Sequence, residues 1–118
     1  MKIELSVVAN KNYLLVKLTG VYMLDKSFPK LNAIKVECEK YQLNKILIDM
    51  LDADFSKIPV MDRFLLAEAI PKIFGQEMKA AFVADLNDVT KFMETVAVNR
   101  GATVLAFPDI NSAEAWLA

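Results

Sequence analysis

The sequence predicts an α/β domain built on a sequential, mostly parallel five-stranded sheet with an antiparallel edge strand and helices mainly on one face. Three observations carry that prediction. Two alternating apolar runs open the chain and are separated by a short polar turn. From there the hydrophobic period switches repeatedly between two and about 3.6. The resulting order is β-β-α-β-α-β-α-β-α, and alternating strands and helices imply parallel strands joined by right-handed crossovers. No connection is long enough to demand a jump across the sheet, so the strands should lie in chain order, which puts the three crossover helices on one face.

Residues 2–8 (KIELSVV) alternate, with Ile3, Leu5 and Val7 on one side. Ala9, Asn10, Lys11 and Asn12 form a polar turn. Residues 13–19 (YLLVKLT) alternate again, with Leu14, Val16 and Leu18 together, and the pair reads as a hairpin. Ser27 and Pro29 resemble an N-cap and first turn. Phe28, Leu31, Ile34, Cys38 and Tyr41 then fall at helical spacing, predicting a helix over 28–42. Residues 45–50 (KILIDM) are a short, nearly continuous apolar strand. A second helix spans 59–74, with Pro59 near its start and Ser56 or Ile58 before it; Pro71 should kink or end it. Residues 78–84 are the fourth strand. Asn87 or Asp88 caps a third helix, with Val89, Phe92, Met93 and Val96 on one face, and Gly101 stops it. Residues 102–107 are the last strand. Asn111 and Glu114 fit a capping box for a short terminal helix carrying Trp116 and Leu117.

The chain has 118 residues, enough for one domain over 1–118 and too few for two. At 55% hydrophobic and 25% charged residues it belongs with globular rather than disordered chains. A net charge of −1 leaves no electrostatic footprint for nucleic acid. Cys38 is the only cysteine, which suits a reducing cytoplasm. The N-terminal residues lack the apolar run of a signal peptide, and no stretch is long and apolar enough to span a membrane. The absence of histidine excludes His-based triads and most zinc sites.

With the crossover helices on one face, the other face is left without cover, except for what the terminal helix supplies. If Ile46, Ile48 and Phe82 face the helices, then Leu47, Ala81 and Val83 face away. Leu15 joins them, as do Val104 or Ala106 depending on register. Leu15, Leu47 and Val83 are therefore a candidate dimer face.

The stretch ILIDMLDADFSKIPVMDRF (residues 46–64) sets Asp49, Asp52 and Asp54 at or just past the C-terminal end of a central strand. Ligands bind outside such strand ends. Asp85 and Asp88 follow the next strand, and Thr19 and Gly20 the second. The rim is read in two ways. It is either a divalent-metal or phosphoacceptor site, or a set of ordinary turn and cap residues favoured by helix dipoles. No metal-ligand spacing, GxGxxG motif or P-loop is present, and no cofactor is implied. Cys38 falls on the apolar face of its helix as a buried, inert thiol. Arg100, before Gly101, reads as helix termination.

The KILIDMLDADF stretch leading into a helix, and VAVNRGATVLAFPDINSAEAWL (residues 96–117), together resemble the STAS domain, typified by anti-sigma-factor antagonists of the SpoIIAA type. They resemble in particular the small bacterial SpoIIAA-like proteins described as STAS and CRAL-TRIO-like. The resemblance covers nearly the whole chain and implies the same fold. It also implies a phosphorylatable serine near the start of the second helix, which points to Ser56. Here the family's Ser-Gly context is absent and Pro59 intervenes. The CRAL-TRIO side of the resemblance implies a hydrophobic ligand between helices and sheet.

The functional expectation is a non-enzymatic, cytoplasmic, STAS-like domain. It would bind a protein partner, itself or a small ligand through the strand-end rim and the first turn of the second helix. The candidate residues are Asp52, Asp54, Ser56, Lys57, Met61 and Asp62. A second expectation is an apolar-ligand or lipid carrier with a cavity lined by Phe64, Phe82 and Phe92. A third is a metal-dependent hydrolase using the aspartates.

Overall fold

The computed structural model describes residues 2–8, 11–21 and 24–118, with the backbone alone for 24–27, 88 and 89. Its elements are β1 (Lys2–Val7), β2 (Leu14–Val21), α1 (Leu24–Lys40), β3 (Lys45–Asp54), α2 (Val60–Phe74), β4 (Lys79–Val83), α3 (Asp88–Asn99), β5 (Thr103–Phe107) and α4 (Ile110–Leu117). The strands form one sheet in the order β1-β2-β3-β4-β5. β1 pairs antiparallel with β2, and every later pair is parallel. The expected turn residues Ala9 and Asn10, and the side chains of Ser27, Asp88 and Val89, lie outside the described residues. Among the described residues no helix is long and apolar enough to cross a membrane.

Strand alternation sorts the core into two clusters. On one face, Leu14 and Val16 of β2 and Ile46 and Ile48 of β3 pack against Leu31, Ile34 and Cys38 of α1 and Leu66, Ala67 and Ile70 of α2, with Ala97 of α3 beside them. On the other face, Tyr13, Leu47, Ala81 and Val83 pack against Ala113 and Leu117 of α4. The second cluster corrects the expectation of an uncovered face. Leu47 and Val83, read as a candidate dimer surface, are 0% exposed, and Leu15 is half-buried against the same cluster. The cause is α4, which turns back over β4, β3 and β5 instead of extending the helical layer.

Polar contacts fasten α4 in place. Asp109 caps it, its side chain accepting the Ser112 N–H at 2.7 Å. The expected capping box at Asn111 and Glu114 therefore gives way to a cap two residues earlier, which frees Glu114 for the sheet. Glu114 Oε2 accepts from Lys11 Nζ at 2.8 Å, beside Tyr13 of the same cluster. Lys79 Nζ donates to the Trp116 carbonyl at 2.6 Å and lies 4.3 Å from the centre of its ring. Phe107 packs on the same indole, with ring centroids 5.6 Å apart.

The helix ends follow local chemistry more closely than propensity. α3 is capped by Asn87, which accepts the Thr90 N–H at 3.0 Å. It closes where Gly101 takes φ 100°. There Gly101 N–H bonds the Val98 carbonyl and Ala102 N–H the Ala97 carbonyl, both at 3.0 Å, a Schellman closure that a side chain would strain. α1 begins at Leu24, earlier than expected, so Pro29 lies inside it rather than in its first turn. Pro71 neither ends nor cuts short α2, which runs on to Phe74. It removes one N–H only one turn before the natural end, while its own carbonyl still accepts the Gly75 N–H at 2.9 Å.

Two outcomes follow from the α4 face. Truncating the buried Leu47 (Leu47→Ala) should cost ~2–5 kcal/mol in urea unfolding. Acid should loosen α4. The backbone N–H of Ser112 holds the Asp109 carboxyl below its ordinary value, and the hydrogen bond from Lys11 does so for Glu114. Their stabilising effect is complete above the unfolded carboxyl range of about 4. It is lost as pH falls through the lower folded values. Trp116 is the only tryptophan, so its emission should shift to the red on acidification before far-UV circular dichroism changes.

Candidate binding site at the strand ends

The four parallel strands end at the same side of the sheet, and the connections into all four helices gather there. β3 reaches this rim in an unexpected way. The sequence predicts a strand that ends at Met50, with Asp52 and Asp54 just past it, but β3 continues to Asp54 because β2 continues beside it to Val21. The register slips on the way: Lys17 pairs with Asp49, whereas Thr19 pairs with Asp52, so β3 spends one extra residue. Asp49 Oδ1 accepts the Leu51 N–H at 3.1 Å at the slip. A bulge of one residue exchanges the two faces of a strand. Simple alternation after Ile48 and Met50 would aim Asp52 at the helices. The bulge sends it to the opposite face, where its Oδ2 lies 3.2 Å from Lys17 Nζ, and brings Ala53 to the helix face instead. The hydrogen bond to Asp52 raises the Lys17 pKa, although both groups are exposed and solvent screens the pair.

Asp54, the last residue of β3, folds the chain into the next connection. Its Oδ1 accepts the Ser56 N–H at 2.9 Å and the Ser56 hydroxyl at 2.6 Å. These two bonds, the hydroxyl first, hold the Asp54 carboxyl below its usual value. Ser56 is exposed in this turn, ahead of the Pro59 cap of α2 and not on the helix's first turn. Pro59 supplies no side-chain cap, and Asp62 in the first turn complements the helix dipole. Arg63 Nε ties the turn down by donating to the Ile58 carbonyl at 3.1 Å. Lys57 is exposed beside it. Val60 and Met61 present the start of α2 to solvent, 67% and 65% exposed.

The aspartates do not converge. Among the described residues no group of three metal-ligating side chains forms, since the bulge turns Asp52 toward Lys17 and Asp54 is engaged by Ser56. Cys38 is fully buried, and burial pushes its thiol up to about 11. Arg100 ends α3, with its guanidinium 3.4 Å from Glu68 and 5.7 Å from the Phe64 ring.

Behind the rim, between the sheet and α1, α2 and α3, lies a cavity of about 330 Å³. Ile48, Met50 and Phe82 form its floor on the sheet, and Leu31, Ile34, Leu66, Ile70 and Met93 its walls. Its mouth is formed by Asp54, Ser56, Asp85, Asn87, Thr90 and Glu94 with the Lys30 side chain. Of the expected lining residues, Phe82 lines it and Phe64 and Phe92 do not. α2 buries the stripe Leu66, Ala67, Ile70, Phe74, and Phe64, two residues ahead of Leu66, falls about 200° away around the helix. Phe92 points to solvent, 42% exposed. Met50, Met93 and Glu94 also line it, and none of the three is a site candidate from the sequence. Glu94 Oε2 accepts the outward-pointing Ala106 N–H of β5 at 2.7 Å, a contact that no spacing in the sequence announces.

No family model matches the sequence, and no curated protein matches it. Solved structures do. One is an uncharacterized protein of the DUF3478 family with a SpoIIAA-like fold from Shewanella loihica PV-4, with a TM-score of 0.61 and 20% identity over 99% of this chain and 93% of that one. The chain has the SpoIIAA-like fold. An anti-sigma factor antagonist from Mycobacterium paratuberculosis is similar at TM-score 0.64 and 15% identity, covering 98% of this chain and 94% of that one. The anti-sigma factor antagonist SpoIIAA in its unphosphorylated form is similar at TM-score 0.53 and 10% identity, again over 98% and 94%. At these identities the likeness is one of fold. In this SpoIIAA-like chain the rim and the cavity are both built from the C-terminal strand ends, and Asn87 belongs to both by capping α3 at the cavity mouth. Asn87→Ala should lower stability by ~0.5–2 kcal/mol in urea unfolding, and Asn87→Asp should keep most of it.

Proposed function

We propose that this chain is a regulatory binding module that engages a protein partner through the strand-end rim. One observation carries the reading. Five large apolar side chains from the segments that reach this end of the sheet are exposed: Val21, Leu51, Val60, Met61 and Leu86. The polar residues Asp52, Asp54, Ser56, Lys57 and Asp62 belong to the same end of β3 and start of α2. Exposed apolar anchors accompanied by polar residues are what a protein-binding surface offers. Met61 and Val60 are placed to act as anchors, and the Asp54–Ser56 turn fixes the approach to them. The fold supports the reading, since two of the similar structures are of anti-sigma factor antagonists.

The test is affinity capture from the native host with three baits: the wild type, Val60→Asp with Met61→Asp, and Val36→Asp. Val36 is equally an exposed apolar residue, but it lies on α1 toward the other end of the sheet. The wild type and Val36→Asp should retain the same protein, and the double variant should lose it by at least tenfold. Equal retention by all three baits would end the rim reading, and recovery of the chain itself would make the partner a second copy.

A further inference from the structure

We propose that the outer edge of β1 pairs with the same edge of a second copy of this chain, antiparallel and about a two-fold axis at Leu5, so that two five-stranded sheets join into one. The proposal is separate from the rim reading, because the variants that test it leave every rim residue unchanged.

The two edges of the sheet differ. At β5, Glu94 already holds the Ala106 N–H. At β1, among the described residues, only β2 hydrogen-bonds the backbone of Lys2–Val7. Edge strands are commonly guarded by proline, by a bulge or by unpaired charge. The strand KIELSV contains no proline. Its register runs from Lys2 opposite Thr19 to Val7 opposite Leu14 without a shift. Its two charges, Lys2 and Glu4, face each other at 3.6 Å and offset one another.

The helical layer stops short of this edge. Leu14 and Val16 of β2 are 0% exposed beneath it. Their cross-strand neighbours on the same face fare differently: Val7 is 49% exposed and Leu5 only half-buried, as is Ile3 beside Leu18. The apolar side of β1 is therefore left partly uncovered, and a second β1 laid against it would add three apolar neighbours on that side.

Alternation and charge choose the register. Residues directly opposite in an antiparallel pair share a face, and like charges set opposite one another are unfavourable. Keeping Ile3, Leu5 and Val7 on the helix face requires odd-numbered residues to meet odd-numbered ones. A pairing centred on Glu4 would set that carboxylate against its own copy. One centred on Ile3 would leave Val7 beyond the second copy's strand. Centred on Leu5, the pairing sets Leu5 on Leu5, Ile3 on Val7, and Glu4 on Ser6, whose hydroxyl can donate to the carboxylate. It takes in every residue from 2 to 8. An edge this short buries less than the ~1,200–2,000 Å² of a standard stable interface, so the dimer should be weak and form as concentration rises.

Sedimentation velocity tests the dimer, and cysteine cross-linking tests its register. The wild type should pass from monomer to dimer as its concentration approaches the millimolar range. Val7→Lys sets a charge against Ile3 of the second copy; it should weaken dimerisation at least tenfold and melt as the wild type does. If that variant fails to fold, the cross-linking decides alone. Glu4→Cys and Ser6→Cys alter exposed positions, and the native Cys38 is buried. Mixed under mild oxidation, these two variants should form a covalent heterodimer, with at least tenfold less covalent dimer from either one alone. A wild type that stays monomeric throughout would overturn the proposal. So would a dimer that Val7→Lys leaves intact, or cysteines that cross-link no better in the mixture than separately.

Discussion

The middle of β3 is the constraint on which the rest of the structure depends. Ile46 and Ile48 face α1 and α2, Leu47 faces α4, and none of the three retains more than 1% exposure. A strand buried on both faces cannot alternate apolar with polar residues, so the sequence there is continuously apolar. Both neighbours take their register from it: Leu14, Leu15 and Val16 on one side, and Ala80, Ala81 and Phe82 on the other. A slip of one residue would exchange the contents of two unequal layers, a large one under three helices and a small one under a single short helix. Positioning the strands in this way also fixes where they end, and with that the rim and the cavity.

The strand order, the four helices and the parallel sheet were legible because each rests on local periodicity. The far end of β3 was not. Asp52 and Asp54 are ordinary turn residues, and ending the strand before LDAD follows propensity. The neighbouring strand overrides it, since β2 runs on to Val21 and offers hydrogen bonds that a turn could not use. The bulge then decides the chemistry of the rim. It gives the cavity a methyl group at Ala53 where unbroken alternation would have given it a carboxylate. Strand propensity depends on partners in space more than on the residues themselves.

Two further features depended on distance in space. The terminal helix was visible in the sequence, but its side of the sheet was not, because Lys11, Tyr13 and Lys79 reach it from remote positions. The cavity was expected to have aromatic walls, yet helical phase removes Phe64 and Phe92 and leaves Phe82. Empty volume is a sum over facing side chains from several elements, and no single stretch of sequence carries it.

The Glu94–Ala106 contact has a consequence for self-association. An open sheet ends in a row of unused peptide groups, to which another copy can add and then another, producing a filament. At β5 that growth needs the Ala106 amide, and Glu94 already holds it. A newcomer would have to displace a carboxylate and leave it beside its own backbone carbonyls. The same side chain that shapes the cavity mouth thus also discourages fibre formation at that margin of the sheet.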